Sequence, residues 1–213
     1  GIHPHDAAAC SETTLAALRE MAQNPRVKAW GETGLDFNRM YSPADIQEKW
    51  FVRQMETAGE LGLPLIFHER DSRGRFAELI RTRAPKGIQG VVHCFSGTSD
   101  ELHQYLDMGF YIGITGILTI SKRGAALRQM AETIPEDRLL IETDAPYLTP
   151  APEKNQTRRN EPAFVKRVLI KLAEVRNTDA RQLARVLWDN TCRLFDILDA
   201  DPAIQSAKKE NLQ

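Results

Sequence analysis

Apolar residues in this chain fall in short runs, separated by longer stretches in which they recur every three or four positions. The runs Val27–Gly31, Pro64–Phe67, Gly90–His93, Phe110–Ile114 and Leu139–Glu142 are mostly too short and too evenly apolar for amphipathic helices. They predict parallel strands covered on both faces. Ser42-Pro43-Ala44-Asp45 supplies a cap, a proline for the first turn and an acid at the positive end of a helix. That helix carries Trp50, Met55 and Leu61 and stops at Gly62. Asp71 is expected to cap a helix reaching Thr82, and Thr98 or Ser99 one that ends at Gly109. Arg123–Ile134 follows, closed by Pro135, then Pro162–Val175, Asp179–Leu187 and a short helix near Arg193–Leu198.

Strands and helices that alternate at roughly 20–35 residue spacing argue for an α/β fold with a parallel sheet. The expected architecture is a TIM-type (β/α)8 barrel, in a single domain over residues 1–198 with a polar, fraying tail over 199–213. Such barrels usually need roughly 250 residues, so a chain of 213 is short for the class. Gly1-Ile2-His3-Pro4-His5 reads as the end of a strand entering a loop, so preceding residues are expected to be missing.

Charge changes the picture little. The 28 basic and 29 acidic residues nearly cancel, which excludes a duplex-binding module that works through an overall basic excess. Cys10, Cys94 and Cys192 are scattered, without a C-x-x-C pair, and suit a reducing compartment. No apolar run approaches roughly 18 residues and no signal peptide is present, so the expectation is a cytoplasmic protein with no membrane partner.

The candidate chemistry sits at the strand ends. Glu32, His68, His93 and Asp144 each follow a different predicted strand. In a β/α barrel these ends share one rim, where active sites are built. A set of Glu, His, His and Asp suits Zn, Mn, Mg or Fe, and not copper–thiolate or iron–sulfur chemistry. A carboxylate placed between such ligands could bridge two cations roughly 4 Å apart, and Asp144 could orient or deprotonate a water. Taken singly, a histidine there is usually structural and an acid is often a cap; four at successive rim positions favour a metal site.

His3-Pro4-His5, Gly31-Glu32-Thr33-Gly34-Leu35-Asp36, His93-Cys94-Phe95-Ser96-Gly97 and Glu142-Thr143-Asp144-Ala145-Pro146-Tyr147 resemble the signatures of the TatD family of metal-dependent deoxyribonucleases. Arg159-Asn160-Glu161-Pro162 and Asn190-Thr191-Cys192-Arg193-Leu194-Phe195 are similar to its C-terminal pattern. The resemblance runs from residue 1 to about 198. It implies a barrel of the metal-dependent hydrolase superfamily, and hydrolysis of phosphodiester bonds in DNA, with RNA left open as a substrate, from the 3′ end of single-stranded or frayed strands. It implies one or two divalent ions, Mg2+ for activity with Zn2+ or Mn2+ as alternatives. Glu32 would then be the metal bridge and a catalytic group, His68 and His93 ligands of one ion, and Asp144 a ligand of the other or the water-orienting acid. His3 or His5 would lie beside the substrate phosphate. No obligate protein partner is implied. By analogy with the family, roughly 60 residues and the first two barrel strands are missing, among them a strand that often carries a His-x-His pair. Their absence would leave open sheet edges and put the second ion in doubt.

The remaining candidates carry weaker signals. Arg158 and Arg159, in a loop with Lys154 and Asn160, are expected to bind substrate phosphate. Asp36 and Asp71 are candidates for orienting Arg or His side chains, and Tyr147 for stacking a base or packing in the core. Glu161 reads as a helix-start residue, His103 as a surface residue and Cys94 as a small buried thiol. Two other readings stay open: a lactonase- or amidase-type hydrolase on the same rim, and an inactive fragment.

Overall fold

A computed structural model describes residues 1–197; the expected tail over 199–213 and the last residue of the expected short helix at 193–198 lie outside it. Five strands form one parallel sheet in consecutive order: β1 (Trp30–Asp36), β2 (Leu65–Arg70), β3 (Gly90–Val92), β4 (Tyr111–Ile114) and β5 (Leu139–Ile141). Four of the expected runs are strands nearly to their bounds, whereas the first, Val27–Gly31, meets its strand only at Trp30 and Gly31. Side-by-side parallel strands in chain order require each connection to cross back over the same face, and helices make those crossings.

The helices are α1 (Glu12–Met21), α2 (Ala44–Leu61), α3 (Arg75–Arg83), α4 (Ser99–Asp107), α5 (Ala125–Thr133), α6 (Val165–Val175) and α7 (Ala180–Leu194). Helix α2 shows why they pack as they do. Gln47, Trp50, Phe51, Gln54, Met55 and Ala58 recur at helical spacing and are all buried. Phe51 stacks on Phe76 of α3 at 5.2 Å, and both meet Phe67 of β2 edge-on. Phe67 in turn touches Phe110 at the start of β4. This aromatic seam is continuous with the core under the sheet and fixes where the strand ends stand.

Four local expectations need correction. Ser42 does not cap α2: its hydroxyl donates to the His5 carbonyl and accepts from the Ala8 amide, and Pro43 holds the cap position. Asp71 does not cap α3. The left-handed Gly74 precedes that helix, and Asp71 accepts instead from Asn38 Nδ2 at 2.6 Å. The two helices expected after Asn177 are not separate: α7 runs unbroken from Ala180 through Leu194 and ends there, so 195–197 are not helical. Nor do Glu32 and His68 stand beyond their strands; both lie within them. By contrast, Thr98 forms the full capping box with Glu101, and Gly62 closes α2 in the left-handed conformation.

Candidate metal centre

Glu32 is the odd residue in β1. Gly31 pairs with Ile66 and Thr33 with Phe67, so Glu32 has no partner across the ladder. This bulge breaks the in–out alternation and re-aims one side chain. The Glu32 carboxylate thereby joins the face on which His68 stands, and His93 reaches the same point from the end of β3. Glu32 Oε2 lies 3.4 Å from His93 Nε2, 3.5 Å from His68 Nδ1 and 3.6 Å from His3 Nε2. Asp144 Oδ1 stands 3.8 Å from the same nitrogen, His93 Nε2. Four chain-distant candidates thus meet at one mouth, with His3 and His5 beside them.

Close strand contact makes this register obligatory. Gly34 has φ +150°, and a Cβ there would lie 1.9 Å from the His68 carbonyl oxygen. A side chain at 34 would push β1 away from β2 and take Glu32 with it.

The hydrogen bonds fix which nitrogen of each ring faces inward. His93 Nδ1 is 2.8 Å from Glu142 Oε2, so the neutral ring keeps its proton there and Nε2 offers a lone pair once its own proton is displaced. His68 Nε2 faces Asp36 Oδ2 at 3.2 Å, which leaves Nδ1 as the inward acceptor. His3 is the reverse. Its Nδ1 accepts the His5 amide at 3.1 Å, so the neutral ring carries its proton on Nε2 and donates towards His68 Nδ1, 3.2 Å away. Burial, then the neighbouring His68 and His5, press His3 down to about 4, so it is neutral at pH 7.

Charge is organised around these rings. In its protonated form His68 donates to Glu32 from Nδ1, and this bond, aided by the charges of protonated His93, His3 and His68 and opposed by burial, holds Glu32 down at about 2. Burial works against a charged His93, but the Glu142 hydrogen bond and the carboxylates of Glu142, Glu32 and Asp144 outweigh it and lift the ring to about 9. Burial pushes the Asp144 carboxyl up. Asp36 is fully buried, and burial would raise it. The amides of Asn38 and Arg39 and the rings of His5 and His68 instead hold it low.

The donor set fits a divalent cation. Two ligands bonded at about 2.1 Å and a tetrahedral angle lie about 3.4 Å apart, which is the spacing of Glu32 from His93 and His68. The three ligand atoms all lie within 4.8 Å of one another. His3, His5 and His68 form a second such group, although the proton on His3 Nε2 faces inward.

Other candidates fall elsewhere. Arg158 and Arg159 are exposed; Thr149 and Thr157 hold their backbones, and neither side chain enters the contacts of the cluster. Tyr147 is 70% exposed and so takes no part in the core. His103 is exposed on α4 and faces the Ser99 carbonyl. Burial raises the Cys94 thiol to about 12, as befits an inert packing group. Asp36 does orient histidines, whereas Asp71 holds an asparagine.

Sequence reasoning missed two residues. Glu142 grips His93 and accepts the Cys94 amide; its position two residues before Asp144, in the same motif, was the available signal. Asn160, seen only as a loop neighbour, is 2% exposed. Its Nδ2 donates to the carbonyls of Thr143 and Tyr147, both at 2.6 Å, and so pins the turn that carries Asp144.

A sequence model of a family described as TatD related DNase matches residues 1–196. The 3′-5′ ssDNA/RNA exonuclease TatD of Musicola paradisiaca (strain Ech703) is 45% identical over 197 residues, 92% of this chain and 75% of that protein. Its counterpart in Rahnella sp. (strain Y9602) is 47% identical over the same shares. Among solved structures, the TatD homologue YJJV from Escherichia coli K12 superposes with a TM-score of 0.82 at 29% identity, over 91% of this chain and 74% of that one. A TatD family hydrolase from Entamoeba histolytica gives 0.81 at 27%, over 92% and 73%. The described strands therefore belong to a TIM-type α/β barrel of the metal-dependent hydrolases.

Proposed function

The chain belongs to the TatD-related DNase family, and from that premise we propose that it is a divalent-metal-dependent exonuclease that removes nucleotides from the 3′ end of single-stranded DNA or RNA. The observation that carries this reading is the Glu32 carboxylate, set at 3.4–3.6 Å from three imidazole nitrogens at the mouth of the sheet. The same donors could serve a lactone or an amide; the exonuclease relatives, at 45% and 47% identity, favour nucleic acid.

We assign Glu32, His68 and His93 as ligands, with Asp144 completing the set or serving the water. Mg2+ is the proposed ion for activity, and Zn2+ or Mn2+ are alternatives; a bound divalent ion polarises the phosphoryl oxygen and acidifies water. Asp144 takes the proton of the attacking water, a role that suits a carboxyl raised by burial. Glu142 keeps the His93 proton on the outer nitrogen, and Asp36 does the same for His68. His3, neutral and with Nε2–H turned inward, donates to a non-bridging phosphate oxygen. His5, fixed to Asp36 at 2.7 Å, holds His3 through its amide. Arg158 and Arg159 are proposed as outlying phosphate contacts. None of the described helices is long and apolar enough to cross a membrane. The scattered cysteines suit the cytoplasm, where we place the protein.

The test is a single-stranded oligonucleotide labelled at either end, incubated with purified protein and Mg2+, Mn2+ or Zn2+. Mononucleotides should leave from the 3′ end and chelation should stop them. Absence of nucleotide release with all three ions would overturn the proposal.

A further inference from the structure

Beside the cluster, on the same rim, lies a separate cavity of about 280 Å³, whose lining includes Arg70, Asp71, Gly97, Arg123 and Leu127. We propose that it is a subsite for the nucleotide adjoining the one released, whose phosphate is gripped by Arg70 and Arg123. The inference rests on the nuclease reading and adds a second contact to it.

Position is the first argument. Arg70 ends β2 two residues beyond His68. The two side chains therefore leave the strand on the same side, with Arg70 about 6.6 Å farther towards the mouth. A nucleic-acid strand with one phosphate at His68 would bring its next phosphate towards Arg70.

The second argument is which charges around the cavity are already engaged. Glu69 accepts the Ser72 amide at 3.0 Å, Asp71 accepts Asn38 at 2.6 Å, and Glu101 is held in the Thr98 capping box. Neither Arg70 nor Arg123 has a carboxylate within ion-pair distance among the described residues. Arg75, five positions on, pairs with both Glu48 and Glu78. The three acids keep their charge but have oxygens turned to neutral donors, whereas the two guanidinium groups are free of carboxylates, and the planar fork of arginine matches phosphate.

Size and lining complete the case. Ile117 and Leu127 are buried and give the cavity an apolar wall against which a sugar or base can lie. The volume falls just below the roughly 300 Å³ at which ordinary ligand pockets begin, which suits one nucleotide rather than a duplex. Contacts to phosphate position a strand without reading its sequence, as an exonuclease working through any sequence requires.

The experiment separates the subsite from the chemistry. Binding of a fluorescent single-stranded pentanucleotide is followed by anisotropy in chelator, where nothing is cleaved. R70A and R123A should each weaken binding about tenfold and each lower the slope of log affinity against log salt by about one, while R123K should keep the salt slope but bind less tightly than wild type. R81A, on the outer face of α3, is the control. With metal added, R70A and R123A should lose at least fivefold more activity on the oligonucleotide than on bis(p-nitrophenyl) phosphate, which has no second phosphate. Affinity of the folded R70A/R123A double variant within twofold of wild type would overturn the subsite, as would equal losses on the two substrates. Failure of the wild type to cleave either one would sink the nuclease reading instead, and the chelator measurement would still decide the subsite.

Discussion

Glu142 offers the sharpest test of how the centre is tuned. It touches no expected ligand position except through His93, whose Nδ1 it meets at 2.8 Å. Glu142→Gln keeps the shape and an acceptor but removes the charge. The surroundings of His93 lift it from 6.5 to about 9. That is about 3 kcal/mol in favour of the imidazolium, at 1.36 kcal/mol per pH unit. The hydrogen bond and the charge of Glu142 lead the favourable causes, so the variant should return His93 most of the way to its ordinary value, by about 1.5 pH units or about 2 kcal/mol. Metal must displace this proton. Wild-type affinity should therefore climb about tenfold per pH unit up to pH 9, whereas the variant should level off about 1.5 units earlier. The lost carboxylate also weakens the ligand itself, by about 10- to 100-fold. The two effects oppose each other at neutrality and separate at high pH, so the deficit should be small at pH 7 and greatest at pH 9. Competition with a chelator for buffered Zn2+ from pH 6 to 9, with the His93 ring proton followed by NMR in the metal-free protein, measures both. Parallel affinity profiles, or an unmoved His93 titration, would refute the reasoning.

Three further outcomes follow from the same geometry. Glu32→Ala, His68→Ala and His93→Ala should each reduce metal content and nuclease activity by more than about 100-fold, while His103→Ala stays within twofold; metal analysis and single-turnover assays decide. Metal-free protein should lose stability as pH rises from 6.5 to 9, because folded His93 holds its proton to about 9 and the unfolded chain does not. Glu32, held at about 2, adds stability above pH 4.5 that disappears as pH falls towards 2; urea midpoints across pH read both arms. Gly34→Ala should cost more than about 3 kcal/mol, since its Cβ would enter the His68 carbonyl at 1.9 Å; a thermal midpoint within two or three degrees of wild type would contradict the claimed strand contact.

β2 to β5 could be read from sequence because parallel strands buried on both faces are largely apolar runs, whereas β1, with Glu32, Thr33 and Asp36 within it, was placed three residues early. Helix α1 could not be read, because its burial rests on Leu15 alone and its periodic signal is weak. Glu32 was chosen for the right chemistry but placed past the strand, because a bulge leaves no compositional mark. The convergence of Glu32, His68, His93 and Asp144 was inferable from one rule, that strand ends share a rim. Glu142 escaped because it acts across the sheet, from β5 to the end of β3, on a partner 49 positions away. Which arginines matter is likewise invisible in sequence: Arg70 and Arg123 stand out only once their neighbours are seen to be paired elsewhere.

Gln54 of α2 gives the centre a divided anchorage. Its amide bonds both Ile2 backbone groups, at 2.6 and 3.0 Å, and also Trp30 Nε1 and Thr33 Oγ1. Glu32 and His68 lie within strands and His93 directly follows one, whereas the segment carrying His3 and His5 is held by side chains: Gln54 at Ile2, Asp36 at the His5 ring and Ser42 at the His5 carbonyl. Changes in those side-chain contacts would shift two imidazoles and leave three donors in place, so grip on the ion and grip on the phosphate can drift independently in evolution.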